Sequence, residues 1–322
     1  MRGFTVLSLC DGMSCGRIAF DRAGIPIDKY YASEIKDIGI KVAKANYPDT
    51  IEIGDVTKVH YKDGILYTEN GDFNVGKFDI VIFGSPCQSF SAAMKSDMRI
   101  GLEDEVRSGL FFECYRVLKE VEPTWFLLEN VKSMKDSDRD ILTSYMGVEP
   151  IMIDSALIGP AIRQRYYWTN IPGVQQPKKK DIKFSSVLTD GYTERDKARC
   201  LCTTECRPLS TPFKMFHRHY SIGFWNLIFK SKEHYEACVE EYNRLTGGKR
   251  KMKAKQIDEL QPTSVFDGVR YMNKTEMERC QSVPHGYTEC LTRNEAADVL
   301  GDGWHVDTIA HIFSYIPTEQ ND

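Results

Sequence analysis

One stretch of the sequence decides the fold: Phe78-Asp79-Ile80-Val81-Ile82-Phe83-Gly84-Ser85-Pro86-Cys87-Gln88. It begins with a short apolar run of the kind that forms a buried β-strand, and the Gly and Pro that follow end such a strand. Cys87 therefore falls at the carboxyl edge of the predicted strand, where open α/β sheets keep their active sites. The stretch predicts an α/β sheet with a cysteine in its functional site.

A second stretch has the same form and adds an acid. The apolar run Thr124-Trp125-Phe126-Leu127-Leu128 ends in Glu129-Asn130-Val131, and Glu129 follows Cys87 by 42 residues. A thiol at one strand tip and a carboxyl at the next can serve as nucleophile and general acid. A lone cysteine is more often a buried core thiol, but the second motif makes that interpretation of Cys87 less favoured.

The rest of the chain sets these two strands in a longer alternation. Short β-rich runs alternate with helical stretches at 4–9, 14–23, 29–33, 38–46, 78–83, 110–121, 125–128, 151–153 and 166–169. This rhythm predicts a doubly wound parallel sheet. We expect a catalytic domain over 1–177, a smaller lobe over 178–268 where Pro, Lys and aromatic residues replace the pattern, and a helical segment over 269–322 that packs back on the first domain.

Charge is distributed unevenly along the sequence. The net charge is −4, but residues 178–256 carry 18 Lys and Arg against 9 Asp and Glu, a balance of +9 that leaves −13 for the remainder. A basic region on an acidic protein is the footprint expected where phosphates are neutralised. A solvated surface helix would give the same charge run, so both interpretations stand at this point.

The cysteines and the hydropathy indicate the compartment. The sequence has ten cysteines, no signal peptide at its start and no run of 18 apolar residues, which predicts reduced thiols in a cytosol-like compartment and no membrane partner. Cys200-x-Cys202-x3-Cys206 followed by His217-x-His219 invites a zinc interpretation, but the spacing fits no standard finger. We therefore predict no metal site.

The first predicted strand runs into a glycine loop, Asp11-Gly12-Met13-Ser14-Cys15-Gly16. Glycines there let the backbone approach a ligand at the start of the next helix, although a structural turn would look the same. The spacing differs from the G-x-G-x-x-G of dinucleotide-binding proteins. Glu34, about 20 residues on, is placed to bond ribose hydroxyls, and Asp55 can meet the amine of an adenine. Together they predict an adenosine-type ligand.

With these motifs the chain resembles the DNA cytosine-5 methyltransferases, over nearly its whole length. The resemblance rests on Pro86-Cys87-Gln88, on Glu129-Asn130-Val131 and on the glycine loop. It implies an α/β, Rossmann-like S-adenosylmethionine-dependent methyltransferase sheet with a small target-recognition lobe, acting on cytosine in double-stranded DNA. The catalytic residues implied are Cys87, Glu129, Arg163 and Arg165, and those implied for S-adenosylmethionine are Cys10, Asp11, Gly12, Ser14, Gly16, Glu34, Asp55, Val56, Ser85 and Trp304.

The chain departs from the family pattern at two places. Cys10 stands where the family usually has a Phe that packs on the adenine, and Ala161 replaces the Gln of the family's Gln-x-Arg-x-Arg motif. Arg163 and Arg165 remain from that motif. Because they lie two residues apart, they would project to one face of an extended segment, where guanidinium groups can grip the base carbonyl and its phosphate.

The chemistry implied by the resemblance is covalent. Addition of the Cys87 thiolate to carbon 6 of cytosine, with Glu129 protonating ring nitrogen 3, makes carbon 5 nucleophilic enough to accept a methyl group. The base must leave the duplex to react. The segment 89–108, which contains Lys95, Arg99 and Arg107, suits a loop that closes over DNA.

The match is nearest to the catalytic domains of the animal de novo DNA methyltransferases. It rests on Gly109–Arg116, Arg163–Trp168, Lys274–Arg279 and Gly303-Trp304. We expect a free-standing catalytic domain of prokaryotic or phage type that marks DNA or shields it from nucleases, cytoplasmic and nucleoid-associated, or nuclear if the source is eukaryotic. The helix at Phe111-Phe112 forms a subunit interface in that branch, so a homo-oligomer is one expectation and an ordinary buried helix face is the other.

Two rival functions stay open. A transfer-RNA cytosine-5 methyltransferase would keep every catalytic motif, although such enzymes typically carry a Cys-Phe-Thr tripeptide in the recognition lobe that this sequence lacks. A catalytically inactive regulatory paralogue would be expected to have lost the cysteine, the glutamate or the glycine loop, and all three are present.

Overall fold

The computed structural model describes residues 2–85, 109–203, 209, 211–223, 225–250 and 252–317. The chain divides into two compact units. The first unit comprises Met1–Ser155, Gln164–Lys179 and Gly303–Asp322, and the second comprises Ala156–Arg163 and Lys180–Asp302. Within the described residues every helix is too short or too polar to span a bilayer.

The strands and helices follow one another through both units. The strands are β1 (Phe4–Leu9), β2 (Ile27–Ser33), β3 (Ile51–Glu52), β4 (His60–Lys62), β5 (Ile65–Thr68), β6 (Gly71–Asn74), β7 (Ile80–Phe83), β8 (Trp125–Val131), β9 (Ile151–Asp154), β10 (Gln164–Thr169), β11 (Leu227–Ile228) and β12 (Arg270–Tyr271). The helices are α1 (Cys15–Ala23), α2 (Asp37–Asn46), α3 (Leu110–Val121), α4 (Asp136–Met146), α5 (Pro212–His217), α6 (Lys232–Thr246), α7 (Ala254–Asp258), α8 (Lys274–Cys280), α9 (Arg293–Asp302) and α10 (Val306–Phe313).

The first unit is built on a seven-stranded sheet in the order β3-β2-β1-β7-β8-β10-β9. Every neighbouring pair is parallel except those that include β10, which runs antiparallel to both β8 and β9. The chain builds outward from β1 to β3 on one side and returns to add β7 beside β1. Ligands bind at such a switch in strand order, outside the carboxyl ends of the strands. The pairing of Leu9 with Phe83 brings the two strand tips together there.

Burial of the central strands explains why they lie inside the sheet. All four residues of β7 are fully buried, and so are Leu7 and Leu9 of β1, as expected for strands covered on both faces. On one face α10 packs against α1, with the rings of Phe20 and Phe313 stacked 4.1 Å apart. The predicted Rossmann-like α/β sheet is confirmed.

The alternation of β-rich and helical runs in the sequence did not predict a three-stranded antiparallel sheet formed by β4, β5 and β6. Its strands are three to four residues long, with only Leu66 fully buried. Such short, mostly polar strands give little periodic signal. Phe73 of β6 lies against Tyr31, with ring centroids 5.5 Å apart, so this small sheet is tied to the main one beside the end of β2.

The second unit has its own core of aromatic side chains. Phe213 and Phe216 of α5, Phe229 after β11, Tyr242 of α6 and Phe266 form its centre. All five lie within residues 178–268, the range predicted for the smaller lobe. Burying them together gives the lobe a core although it has few strands.

The second unit extends further along the chain than predicted. Its boundary near Lys179 lies close to the expected one at 177, but α8 and α9 also belong to it, whereas residues 269–322 were expected to pack on the first domain. The reason is a buried carboxylate: Glu276 of α8 is fully buried and accepts hydrogen bonds from Thr189 and Arg270 of the same unit. Only the segment from Gly303 returns to the first unit.

Candidate active site

The site begins with the loop after β1, which Asp11 holds together. The Asp11 carboxylate accepts hydrogen bonds from the hydroxyls of Ser8 at 2.5 Å and Tyr30 at 2.6 Å, and from the hydroxyl of Ser14. Burial raises the pKa of Asp11, and these hydrogen bonds oppose that shift. Predicted as a ligand residue, Asp11 is seen here bracing the loop, while Ser14 sits at φ 61° just before α1.

Gly12, next to Asp11 in the loop, is hydrogen-bonded to Glu34. The Gly12 amide donates to Glu34 Oε2 at 2.7 Å, and Glu34 Oε1 accepts from the amides of Ile35 and Lys36 at 2.8 Å each. A Cβ on Gly39 would stand 2.6 Å from the Gly12 carbonyl oxygen, so the glycine in α2 lets that helix approach the loop. The structure thus joins two residues that the sequence placed 22 positions apart.

Asp55 is held by a turn that the sequence did not identify. Its amide donates to Glu69 Oε1 at 2.8 Å, in the turn between β5 and β6, and its own carboxylate accepts from Thr57 at 2.9 Å. In the same turn Asn70 donates to the carbonyl of Glu52 at 3.1 Å. The side chains of Glu69 and Asn70 in the small sheet therefore hold residues 52–55 by hydrogen bonds. Val56, the next predicted ligand residue, is buried.

The glycine at position 54 shows how close this contact is. Gly54 has φ 77°, and a Cβ there would lie 2.2 Å from Glu69 Oε1. Glu69 also pairs with Lys58. No local sequence signal marks Glu69, because its partner lies across an antiparallel sheet of weakly patterned strands.

Trp304 packs close to Gly84, just after β7, and to Gly16 in α1. A Cβ on Gly84 would lie 2.8 Å from the indole Nε1, and one on Gly16 would lie 3.5 Å from the same ring and 2.4 Å from Ile82 Cδ1. Both glycines are thus needed for close approach. The sequence predicted Gly16 and Trp304 as ligand residues, and the structure brings them together 288 positions apart in the chain.

Glu52 is a buried acid at this edge that the sequence did not single out. Both of its carboxylate oxygens are buried and make no hydrogen bond within the described part of the chain. Burial, with the nearby charge of Asp11, raises the pKa of Glu52 to about 7, and Lys44 opposes the shift. The carboxyl groups of Asp11 and Glu34 lie close enough to Glu52 for their charges to act on it, so three acidic side chains meet at this edge.

The end of β8 supplies the acid and its partner. Glu129 is 8% exposed, and its Oε1 lies 2.7 Å from Nε of Arg165 on the neighbouring strand β10. Next to it, Asn130 is fully buried and donates to the Ser85 hydroxyl at 3.1 Å. Asn130 therefore ties the end of β8 to the last described residue after β7.

Cys87 and the predicted loop at 89–108 lie outside the described residues. Ser85, two positions earlier, is buried beside Asn130, so the chain leaves β7 at the same edge as Glu129. The Asn130 contact was not anticipated, although Glu129-Asn130-Val131 was identified as a motif. A polar residue buried at a strand tip was the signal that could have found it.

Arg163 and Arg165 do not share one environment. Strand β10 begins at Gln164, so Arg163 precedes it, and its guanidinium contacts the Gly301 carbonyl at 3.4 Å and Cys200 Sγ at 3.3 Å within the second unit. Arg165 pairs with Glu129 in the first unit. The expected common face is therefore not what these contacts show, and a role for Arg163 at the base remains a prediction.

Two further groups of cysteines and histidines are accounted for by other contacts. Cys10 has φ 54° and its Sγ lies 4.0 Å from that of Cys114 in α3. In the second unit His219 bonds Glu194 and the Trp225 carbonyl, and Cys206 lies outside the described residues. Among the described residues no group of three or more potential ligands is placed to hold a metal.

The sheet order with its one antiparallel strand defines a Rossmann-like α/β fold, in which the carboxyl ends of β1, β7 and β8 meet at the switch in strand order. Residues 4–146 match the family described as C-5 cytosine-specific DNA methylase. The matched segment contains the Pro-Cys-Gln and Glu-Asn-Val motifs of the sequence.

Curated relatives match a little under half of the chain. Type II methyltransferase M.NgoBV of Neisseria gonorrhoeae is 38% identical over 151 residues, which are 46% of this chain and 32% of that protein. Orphan methyltransferase M.Rho11sI of Bacillus phage rho11s is 34% identical over 141 residues, 43% of this chain and 25% of its own length. The chain thus spans a third or less of the length of these two relatives.

Solved structures resemble the chain over its full length. The Dnmt2 methyltransferase of S. pombe has a TM-score of 0.64 at 16% identity and covers 97% of this chain and 98% of its own. A putative DNA modification methyltransferase from an E. coli prophage has a TM-score of 0.59 at 17% identity, with coverage of 97% and 98%. At these identities the likeness shows the fold alone.

Proposed function

We propose that this protein is a DNA cytosine-5 methyltransferase that uses S-adenosylmethionine as methyl donor. The observation that carries the proposal is the edge formed by β1, β7 and β8. An adenosine-type pocket, the residue pair before Pro86-Cys87 and the buried Glu129 all lie at this edge. Each part occurs in other proteins, but their combination at one switch point matches the chemistry of the family whose model matches residues 4–146.

The residues of the pocket fit an adenosine bearing a positive charge. A side chain at position 12 would enter the open space beside the loop, and one at position 84 would collide with Trp304. Glu34 and Asp55 offer carboxylate oxygens to hydroxyl and amino groups. S-adenosylmethionine, when bound, supplies a methyl group on a sulfonium. We assign the ribose to Glu34, the adenine amine to Asp55 and the enclosing wall to Trp304.

The remaining predicted residues shape this pocket. Asp11, Ser14 and Gly16 set the course of the loop, Val56 is buried directly after Asp55, and Ser85 accepts a hydrogen bond from Asn130. Cys10 stays a proposed neighbour of the adenine, with its side chain turned towards Cys114.

Glu129 and Arg165 are the proposed partners of the base. The guanidinium holds one carboxylate oxygen at 2.7 Å, which fixes the rotamer of Glu129 and leaves Oε2 to act on ring nitrogen 3. Protonation there draws electrons from carbon 6 while the Cys87 thiolate adds to it, and carbon 5 becomes the nucleophile. Once carbon 5 carries the methyl group, loss of its hydrogen as a proton to a base and cleavage of the bond between Cys87 and carbon 6 would restore the ring.

The second unit is the proposed target-recognition lobe, with the basic balance of residues 178–256 facing phosphates.

A homo-oligomer through α3 is a further proposal. Phe111 is fully buried, but Tyr145, whose ring lies 5.3 Å from that of Phe112, is 43% exposed. The gel-filtration mass of the protein with and without Phe112→Ala tests this oligomer.

Since the two relatives described come from a bacterium and a phage, we propose a cytoplasmic enzyme near the nucleoid.

Methyl transfer to different nucleic acids tests the proposal. Purified protein is incubated with tritiated S-adenosylmethionine and either double-stranded DNA or bulk transfer RNA, with Cys87→Ala as control. We expect label in DNA that depends on Cys87. Label in transfer RNA alone would favour the transfer-RNA enzyme, and label in neither substrate would favour an inactive paralogue.

A further inference from the structure

The second unit contains a cavity of about 360 Å³ whose walls carry more positive than negative charge. The residues that define its chemistry are Glu194, Arg195, Arg199, His219, Tyr220 and Arg250. All of them belong to the same compact unit. Three guanidinium groups and one carboxylate therefore meet around one hollow.

One oxygen of the Glu194 carboxylate is bound within the wall of the cavity, and the other is buried without a hydrogen-bond partner among the described residues. Glu194 Oε1 accepts from His219 Nε2 at 2.8 Å and lies 3.2 Å from Arg195 Nε. Burial opposes the ionisation of Glu194, but the hydrogen bond and charge of His219, with the charge of Arg195, outweigh it and hold the pKa of Glu194 below its usual value. Arg195 also donates to the Trp225 carbonyl at 2.7 Å. These groups form one hydrogen-bonded network around the Glu194 carboxylate.

The other two arginines differ from Arg195 in their pairing. Within the described part of the chain neither Arg199 nor Arg250 forms an ion pair with a carboxylate. Fully buried Asn226 fixes the backbone of Arg199 from both sides, because its Oδ1 accepts from the amide at 2.7 Å and its Nδ2 donates to the carbonyl at 3.0 Å. Arg199 is thus an exposed cation on an anchored backbone.

Arg250 is oriented by an aromatic ring. Its guanidinium carbon lies 4.7 Å from the centroid of Tyr220 and one nitrogen donates to the Tyr220 hydroxyl at 3.3 Å. Tyr220 in turn stacks on Phe216 with centroids 5.3 Å apart. A second hollow shares Arg250 with the first and adds Lys253, so positive charge continues beyond the cavity.

We propose that this cavity binds a backbone phosphate of the DNA substrate, with Arg199 and Arg250 as the two guanidiniums that receive it. The inference rests on the proposed function and deepens it. Two donors that form no ion pair among the described residues, held at the rim of a hollow by a buried amide and an aromatic ring, match the oxygens of a phosphodiester. A phosphate contact positions the duplex but does not read its sequence.

Salt dependence of DNA binding measures this contact directly. Binding of a fluorescein-labelled duplex is followed by anisotropy at several salt concentrations for the full chain, Arg199→Gln and Arg250→Gln. The matched control is Arg244→Gln, because Arg244 lies in α6 of the same unit but is paired with Glu241 at 2.6 Å. Removal of one phosphate-binding cation should reduce the slope of log K against log salt by about 0.9.

We expect Arg199→Gln and Arg250→Gln to weaken binding equally for duplexes of different sequence and to lower the salt slope, with the control unchanged. An unchanged slope would overturn the inference, and so would a loss confined to duplexes that contain the methylated sequence, which would indicate base contacts. Saturable binding of inorganic phosphate that Arg199→Gln abolishes, with no change in the DNA slope, would assign the cavity to free phosphate and overturn the assignment to DNA.

The unmodified chain separates this inference from the proposed function. If it binds and methylates DNA while the two variants retain its slope, only the cavity assignment fails. If the unmodified chain neither binds nor methylates duplex DNA, the proposed function fails and the phosphate assignment fails with it. Thermal unfolding of each variant, expected close to that of the parent since both side chains are exposed, checks that the fold persists.

Discussion

Replacement of Glu129 separates its chemical role from its structural one. The carboxylate lies 2.7 Å from Arg165 Nε, and the two side chains are 10% and 12% exposed. Removing one member of such a buried pair leaves the other charge without a partner, which typically costs about 3–5 kcal/mol. Glu129→Ala should therefore lower the free energy of unfolding by about that amount.

Glu129→Gln should behave differently because the amide oxygen can still accept a hydrogen bond from Arg165. We expect a stability loss of under about 2 kcal/mol, since one hydrogen bond to a charged group is retained. The catalytic proton is nevertheless gone, and a general acid typically contributes about 100- to 10,000-fold. Glu129→Gln should thus lose at least about 100-fold in kcat for DNA methylation while it stays folded.

The assays are urea unfolding and methyl transfer at saturating DNA and cofactor. Glu113→Gln is the control, because Glu113 pairs with Arg116 at 2.9 Å but is 37% exposed, and such a surface pair is worth about 0–1 kcal/mol. A kcat for Glu129→Gln within about threefold of the parent would refute the acid assignment, since that loss is far below the range for a general acid. Equal stability of Glu129→Ala and Glu113→Gln would refute the energetic argument.

Three further outcomes follow from the cofactor pocket. Gly84→Ala should weaken S-adenosylmethionine binding by calorimetry at least about tenfold, roughly 1.4 kcal/mol, because the new Cβ would stand 2.8 Å from Trp304 Nε1; an unchanged Kd would contradict the position of the indole. Glu69→Ala should raise the Kd for the cofactor but not for DNA, since Glu69 holds the Asp55 amide; equal effects on both ligands would indicate general unfolding. Burial raises the pKa of Glu52 from 4.5 to about 7. The folded state therefore favours the protonated carboxyl. The stability gained in this way is complete below pH 4.5 and is lost as the pH rises through about 7. The Tm of Glu52→Gln relative to the parent should therefore increase between about pH 5 and 8, and a constant difference would count against a buried acid.

The strand tips could be predicted from the sequence because their signals are local. The apolar run before Gly84, the run before Glu129 and the loop around Gly12 each lie within a dozen residues, and the chain direction of a parallel sheet brings their ends to one edge. The structure places Glu34 beside Gly12 in the same way. Residues that lie just after strands are thus well specified by pattern alone.

The remaining contacts could not be predicted because they depend on tertiary neighbours. Glu69 meets Asp55 only through a sheet of short polar strands. Arg163 and Arg165 diverge because β10 starts between them, and their partners come from β8 and from near the end of α9. The assignment of α8 to the second unit follows from the burial of Glu276, and periodicity cannot say against which unit a helix packs.

The central claim is that Cys87 attacks the target cytosine, and covalent trapping tests it most directly. A duplex in which cytosine is replaced by 5-fluorocytosine blocks release, because fluorine at carbon 5 cannot leave as a proton does. With S-adenosylmethionine present, the parent protein should form a complex that survives denaturing electrophoresis, and Cys87→Ala should form none. An adduct that persists in Cys87→Ala, or methylation of ordinary DNA without any trapped complex on the fluorinated duplex, would contradict the mechanism.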